Sequence, residues 1–296
     1  MIKDTSYALI RRLSFIEDAL REHAAKRGSS QIAVADIGCG TGELLTIPLA
    51  VNLGSTAEIF AFEPESKSFS HLRHQIQHLN INTVHPVKEL DVLHMHTYDA
   101  VIISEVIEHV QDPVNFLRGF RKLLKESGIV LITTPNGYGI FELETMLFYT
   151  LELIGVIPFL RGLKRKLRRS RGIAVQPDRA DTLAVSPHIN FFSLGELYHI
   201  LTEAGLSCKK IEGRNFAAGP FSDKIIDKSG RLIKWNSSLG KVLPLRLATD
   251  WMLIAEFSAL TSSKTKTVYS PVKLNLLQKL YTRYKRWLNL YLSRRR

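Results

Sequence analysis

The stretch that decides the fold is Ala35-Asp-Ile-Gly-Cys-Gly-Thr-Gly42, which follows a short apolar run. Its glycines stand at Gly38, Gly40 and Gly42, a GxGxG spacing that differs from the GxGxxG of dinucleotide-binding turns. Glycines at alternate positions let a chain turn sharply out of a strand and pass close to a ligand at the N-terminus of the next helix. The spacing therefore favours a nucleoside cofactor other than a dinucleotide, and it disfavours a dehydrogenase.

A second segment supports the same kind of cofactor. Residues 57–62 have the Ile and aromatic content of a β-strand, and the strand is followed by Glu63, 21 positions after Gly42. An acid at the end of the second strand of a βαβ unit can accept hydrogen bonds from both hydroxyls of a ribose. Asp36, at the end of the first strand, can accept hydrogen bonds from loop amides or from a ligand amine. Together the two segments predict a nucleoside-binding α/β domain.

These segments resemble the cofactor half of class I S-adenosylmethionine-dependent methyltransferases, and the similarity extends over about residues 31–206. It implies a Rossmann-like seven-stranded α/β sheet with helices on both faces and the seventh strand antiparallel. The later elements that it predicts are a fourth strand at 98–104, a helix at 113–124, a fifth strand at 128–135, a sixth at 206–212 and a seventh at 251–258.

The resemblance also assigns the cofactor-binding residues: Asp36, Gly38, Cys39, Gly40, Gly42, Glu63, Asp91, Val92 and Ser104. Asp91 corresponds to the acid that binds the adenine end in this family, where a carboxylate accepts a hydrogen bond from the exocyclic amine. The same side chain could instead cap a turn. The implied cofactor is S-adenosyl-L-methionine.

The segment Ser104-Glu-Val-Ile-Glu-His-Val110 is similar to the Glu-x-x-Glu-His signature of the ubiquinone-biosynthesis O-methyltransferases, in the methyltransferase type 11 group. In that branch and in the small-RNA 3′-end 2′-O-methyltransferases, two acids and two histidines are thought to hold a divalent cation. The resemblance implies Mg²⁺, Mn²⁺ or Zn²⁺ at four positions, which are Glu105, Glu108, His109 and His188. The alternative is that Glu108 caps a helix and that His109 packs beside the cofactor.

Methyl transfer to a hydroxyl group requires that the hydroxyl proton be removed. We expect His109 to be the catalytic base, or a metal ligand if a cation is present. Glu105 and Glu108 are its expected electrostatic partners.

The charge of the chain is concentrated in two segments. Residues 161–172 contain seven Lys or Arg and residues 257–296 contain ten, with no acid in either. Removing these 17 bases leaves 23 bases against 28 acids, so the remainder has a net charge of −5. The two cysteines offer no disulfide framework and predict a reducing, cytoplasmic compartment.

Apolar sequence accompanies both basic segments. Residues 141–160 are mostly apolar, but three acids argue against a membrane span, and Glu142, Thr145, Tyr149 and Glu152 form a narrow polar stripe at helical spacing. In the tail, a helical face is formed by Leu277, Leu280, Tyr281, Tyr284, Trp287, Leu288 and Tyr291, with Lys279, Arg283 and Arg286 on the other side. This pattern favours peripheral contact with an anionic membrane. The alternatives are packing on the protein itself and binding of RNA phosphates.

The sequence predicts an N-terminal helical cap at 1–30, a methyltransferase domain at 31–260 with insertions at about 137–187 and 213–248, and a basic amphipathic tail at 261–296. The predicted function is O-methylation of a lipid-linked, glycan or quinone-type hydroxyl by a cytoplasmic protein at the inner face of a membrane. The alternatives are a 3′-end RNA 2′-O-methyltransferase, with nucleic acid as its partner, and a non-catalytic scaffold with a degenerate fold.

Overall fold

A computed structural model of the 296-residue chain describes residues 7–169, 188–226, 228–258, 280–285 and 287–288. Within these residues the chain forms one seven-stranded sheet in the order β3-β2-β1-β4-β5-β7-β6. The strands are β1 Ile32–Ile37, β2 Ala57–Phe62, β3 Val84–Val87, β4 Tyr98–Ser104, β5 Leu124–Pro135, β6 Leu206–Gly213 and β7 Asp250–Phe257. Strands β1 to β5 pair in parallel, and β7 lies antiparallel between β5 and β6. The predicted fold class is confirmed.

Helices cover both faces of the sheet. Their bounds are α1 Tyr7–Arg27, α2 Thr46–Leu53, α3 Ser66–His78, α4 Pro113–Gly119, α5 Ile140–Leu153, α6 Val156–Arg169, α7 Leu194–Glu203, α8 Asp223–Ile226 and α9 Gly230–Val242. The helix predicted over 113–124 is shorter than expected, because α4 ends at Gly119 and a 3₁₀ turn leads into β5 four residues before the predicted strand start.

The central strands are buried on both faces, which is why they are continuously apolar. Of the seven residues of β4, six are buried, and Trp251 of β7 is inaccessible to solvent. Helix α1 covers one side of the sheet through buried residues that include Phe15, Ile16 and Leu20. The division of the chain at residues 30 and 260 stays a prediction, and residues 1–6 lie outside the described part.

The apolar stretch 141–160 forms two helices instead of one. The break lies at Gly155, whose φ of +84° suits glycine, and α5 and α6 are bent by 77°. Among the described residues no single helix has the length and apolarity of a membrane span; α5 and the first part of α6 reach that level only when counted together.

The tail is described at residues 280–285 and 287–288, which are helical and are called the tail helix below. Its predicted apolar face divides between two environments. Leu288 is buried against the protein, as are Thr282 and Lys285, whereas Leu280 and Trp287 are exposed. For Leu288 the structure shows packing on the protein itself, the alternative that the sequence left open beside membrane contact. Four other residues of the predicted pattern, Leu277, Lys279, Arg286 and Tyr291, lie outside the described residues.

Two glycines of the β1–α2 turn give a stability prediction. Gly42 has φ +74°, and a Cβ there would collide with the buried side chain of Leu72; Gly40 has φ +61°, with no atom near the corresponding position. Gly40→Ala should cost about 1–2 kcal/mol of unfolding free energy through backbone strain alone. Gly42→Ala should cost about 1–3 kcal/mol more, because overpacking is added. Urea unfolding of both variants measures the difference, and equal losses would contradict this account.

Candidate functional site

The β1–α2 turn is attached to the end of β2. The backbone amides of Gly38 and Cys39 donate to the carbonyl of Phe62 at 2.9 and 3.1 Å. The amide of Gly40 donates to Glu63 Oε2 at 2.8 Å, and Glu63 Oε1 accepts from the amide of Glu65 at 2.8 Å. The two most diagnostic parts of the predicted cofactor site therefore meet directly, and the space beside Gly40 is open.

Asp36 lies behind this turn and not at its surface. Its side chain is buried, and Oδ2 accepts a hydrogen bond from the Thr46 hydroxyl at 2.7 Å, at the start of α2. Burial raises the pKa of Asp36 to about 6, although Thr46 and the positive charge of Arg12 oppose the shift. In this structure the Asp36 side chain binds the first residue of α2. The amides of the neighbouring turn, which were possible partners of Asp36, donate instead to Phe62 and Glu63.

Asp91 and Val92 follow β3, the strand next to β2 in the sheet. They belong to a 3₁₀ turn, Leu90–Val92, that follows β3, and both are exposed. Asp91 lines a surface cavity of about 470 Å³ together with Leu93 and Phe116. Within the described part of the chain, the Asp91 carboxylate accepts no hydrogen bond from another residue. It is therefore available for its predicted role, as the acceptor for an adenine amine.

The end of β4 carries Ser104 and Glu105 in an unusual backbone. Glu105 has φ +58°, a left-handed conformation that is uncommon for a residue with a side chain. Its amide donates to the Thr133 carbonyl at 2.9 Å, and the Thr133 hydroxyl lies 2.9 Å from both Ser104 Oγ and Glu105 Oε1. These bonds to β5 turn the chain at the point where the Glu-x-x-Glu-His segment begins.

Glu105 is neutralised by two arginines from distant parts of the chain. Arg12 of α1 and Arg214, just after β6, each place a guanidinium nitrogen 3.8 Å from Glu105 Oε1. Burial works to raise the pKa of Glu105, but the two arginines and Thr133 outweigh it, so the pKa lies below its ordinary value. Arg214 also forms a bidentate ion pair with buried Asp250, at 2.9 and 3.1 Å.

Glu108 has the opposite environment. Its side chain is 1% exposed; Oε2 accepts from the Thr134 hydroxyl at 3.4 Å, and Oε1 has no hydrogen-bond partner among the described residues. Burial, followed by the negative charge of Glu105, raises the pKa of Glu108 to about 8, against an opposing effect of His188. A carboxyl group of this kind holds its proton near neutral pH unless a cation or a donor approaches.

Two histidines complete this group. His109 lies in the 3₁₀ turn Ile107–His109, and its ring is 5.0 Å from that of His188 in an edge-to-face arrangement. One ligand atom from each of Glu108, His109 and His188 lies within 4.8 Å of the others. The amides of Ile189 and Asn190 donate to the Glu108 carbonyl at 3.0 and 2.9 Å, which brings the end of the first insertion to the site.

Of the four predicted metal ligands, the structure therefore brings three together, while Glu105 contacts the arginines. Sequence reasoning missed Arg12, Arg214 and Asp250 in this cluster, and also Glu142, whose Oε1 lies 3.0 Å from His188 Nδ1. No motif identifies these residues. The one available signal in the sequence is the Arg11-Arg12 pair of an otherwise amphipathic helix. A charged side chain on the apolar face of such a helix requires a partner of opposite charge.

Comparison with known families gives a match over most of the chain. A family profile described as "Methyltransferase domain" matches residues 6–211. The match includes the β1–α2 turn, the end of β2 and the Glu-x-x-Glu-His segment.

Curated relatives are named ubiquinone biosynthesis O-methyltransferase. The protein of Rickettsia akari is 26% identical over 71% of this chain and 74% of its own length. The mitochondrial protein of Bos taurus is 30% identical over 50% of this chain and 41% of its own length. The Caulobacter vibrioides protein is 37% identical over 42% of this chain and 51% of its own length. The chain thus spans less than two thirds of the last two relatives.

A solved S-adenosylmethionine-dependent methyltransferase from Clostridium acetobutylicum has the same fold. The TM-score is 0.50 at 9% sequence identity, and the match covers 82% of this chain and 91% of that one.

The raised pKa of Asp36 gives a prediction for stability against pH. The folded state binds this proton more tightly than the unfolded state, so stability falls as pH rises from about 4 through 6, by at most about 3 kcal/mol. Asp36→Asn keeps an acceptor for Thr46 and removes the titration. The variant should therefore gain stability relative to the wild type between about pH 4 and pH 7.

Urea unfolding across that pH range measures the effect, with Asp18→Asn at an exposed carboxylate as the control. A constant difference between Asp36→Asn and the wild type at every pH would contradict the assignment.

Proposed function

The chain belongs to the class I S-adenosylmethionine-dependent methyltransferases, and we propose that it methylates a hydroxyl oxygen of a lipid-linked, glycan or quinone-type acceptor. The observation that carries this proposal is the group formed by Glu108, His109 and His188 beside the β1–α2 turn. Val106, in the same segment, would contact a Cβ at Gly38, so the group and the turn are adjacent. The names of the relatives support an oxygen acceptor.

The chemistry requires positioning and removal of a proton. S-adenosylmethionine supplies a methyl group on a positively charged sulfur, and the acceptor oxygen must approach the methyl carbon in line. In the proposed site His109 receives the hydroxyl proton, as the sequence predicts. The carboxyl group of Glu108 lies beside it, with Oε1 4.0 Å from His109 Nε2. Burial strengthens these electrostatic interactions by excluding water.

A divalent cation is a separate part of the proposal. The donor set fits in part: Glu108, His109 and His188 converge, and the unpartnered Oε1 of Glu108 has the chemistry of a metal ligand. Glu105 is occupied by two arginines and does not complete the set. A cation held by the three residues would stabilise the acceptor alkoxide or phenolate.

The acceptor assay tests the function. Purified protein with S-[methyl-³H]adenosylmethionine should label a phenol that carries an isoprenoid tail, presented in vesicles, with and without Mg²⁺. His109→Ala should lower kcat by about 100-fold or more, since general-base catalysis contributes that much. His74→Ala, at an exposed histidine of α3, is the control and should leave kcat unchanged.

Label in an RNA 3′-end fraction instead of the phenol would replace this proposal with the nucleic-acid alternative. Absence of label in every acceptor would favour the non-catalytic scaffold.

We also propose that the acceptor is met at a membrane surface, and the orientation of α5 supports this. The polar stripe of α5 turns inward, so that Glu142, Thr145 and Tyr149 are buried. Its apolar side faces outward, with Leu143 and Leu147 about half exposed. A soluble helix normally has the reverse orientation. Large outward apolar surface is a feature of membrane-contacting and partner-binding faces.

Helix α6 continues this surface with large apolar side chains beside cations. Phe159 is 71% exposed and Leu160 is 51% exposed, with Arg161 and Lys166 on the same helix. Trp235 of α9 and Trp287 of the tail helix add exposed indole rings in the second insertion and the tail. Apolar, aromatic and basic groups in combination suit an anionic bilayer. Location in the cytoplasm at the inner face of a membrane stays a prediction.

Vesicle binding tests the membrane contact. Phe159→Ser with Leu160→Ser should weaken co-sedimentation with phosphatidylglycerol vesicles at least about tenfold, because two large side chains lose about 1.5–3 kcal/mol each on failing to insert. Val51→Ser with Leu79→Ser changes two equally exposed apolar residues on α2 and after α3, and should leave binding unchanged. Equal binding by both double variants and the wild type would remove α6 from the contact.

A further inference from the structure

A buried row of charged side chains connects the tail helix to the candidate site. Lys285 is 1% exposed, and its ammonium contacts Glu142 Oε2. The other oxygen of Glu142, Oε1, lies 3.0 Å from Nδ1 of His188. His188 belongs in turn to the group with Glu108 and His109. The row therefore runs from the C-terminal part of the chain, through α5, to the residues where the acceptor hydroxyl is proposed to bind.

The surrounding contacts hold this row in place. The Lys285 ammonium lies over the ring of Phe191, 4.5 Å from its centre. The Tyr281 hydroxyl donates to the Gly137 carbonyl at 3.1 Å, and the hydroxyls of Tyr284 and Thr150 are 2.8 Å apart. The tail helix is thus attached to α5 and to the residues that immediately follow β5.

A lysine and a glutamate buried together are expensive, because both lose their hydration. Burial lowers the pKa of Lys285 well below its ordinary value. Apolar residues of the same volume would fill this space at a lower cost. The presence of a charged pair here therefore points to a role other than stability.

Glu142 lies between Lys285 and His188, so its charge state bears on which nitrogen of His188 carries the proton. An ionised Glu142 can only accept, and Nδ1 of His188 would then be the donor in their 3.0 Å contact. The neutral ring then has its lone pair on Nε2. Nε2 would then be the hydrogen-bond acceptor of the ring.

We propose that Glu142 and Lys285 are positioning residues for His188, and that the tail helix thereby completes the acceptor site. The inference rests on the proposed function, because it takes the Glu108–His109–His188 group as the place where the acceptor hydroxyl binds. Neither Glu142 nor Lys285 contacts the acceptor. They act by fixing the orientation and tautomer of the His188 ring.

A double-variant cycle in the full chain separates positioning from stability. Glu142→Met and Lys285→Met should each lower the melting temperature, because each leaves a buried charge unpaired. The combined variant should be more stable than either single variant. Its kcat should nevertheless stay about 10- to 100-fold below the wild type, with unchanged affinity for S-adenosylhomocysteine. Arg73→Met, at an exposed cation of α3, should match the wild type.

Recovery of both stability and kcat in the combined variant would overturn the proposal, because a merely structural pair would behave in that way. A second readout is independent of activity: ¹⁵N NMR of histidine-labelled protein, with the His188 signals assigned from His188→Gln. The wild type should show His188 protonated at Nδ1, and the combined variant should lose that single tautomer. An Nε2-protonated His188 in the wild type, or the same tautomer in both proteins, would also overturn it.

Failure of the proposed function has a different signature. In that case the wild type and Arg73→Met would both lack methyl transfer, while the tautomer measurement would still decide whether Glu142 and Lys285 fix His188.

Discussion

The site depends on one electrostatic constraint: two carboxyl groups lie within one turn of chain at the end of β4, buried Glu108 and partly exposed Glu105. Two ionised carboxylates cannot share such a place without compensation. Arginines from α1 and from the residues after β6 neutralise Glu105. Both segments are distant in sequence from Glu105 and must therefore pack beside the end of β4. In the described part of the chain Glu108 forms no ion pair with an arginine or a lysine, so burial favours its protonated form, and Oε1 has no hydrogen-bond partner there.

The cofactor-binding half of the domain could be predicted, because its conformation follows from local backbone preferences. Gly38, Gly40 and Gly42 all have positive φ, and Glu63 reaches back to the Gly40 amide, so spacing along the chain translates directly into contact. The antiparallel seventh strand followed from the family resemblance. Asp36 shows the limit of that reasoning, because its position was predicted but its partner, the Thr46 hydroxyl, depends on how α2 begins.

The acceptor half could be predicted less well, since its contacts join residues far apart in sequence. Arg12 and Arg214 are about 200 positions apart yet meet at Glu105, and nothing in their local sequence specifies the pairing. The polar stripe on α5 was visible as a pattern, but periodicity does not say which face turns inward. Burial of Glu142 reverses the usual orientation and leaves apolar residues outside, since the stripe supplies the contacts to His188 and Lys285.

The most direct measurement of the central claim is calorimetric titration of S-adenosylhomocysteine into the wild type and into Glu63→Ala. The account predicts one site with micromolar affinity in the wild type, and a loss of at least about 1 kcal/mol in Glu63→Ala through missing charge-assisted hydrogen bonds to the ribose. Absence of binding to the wild type, or equal affinity for both proteins, would contradict the assignment of the β1–α2 turn and Glu63 to the cofactor site.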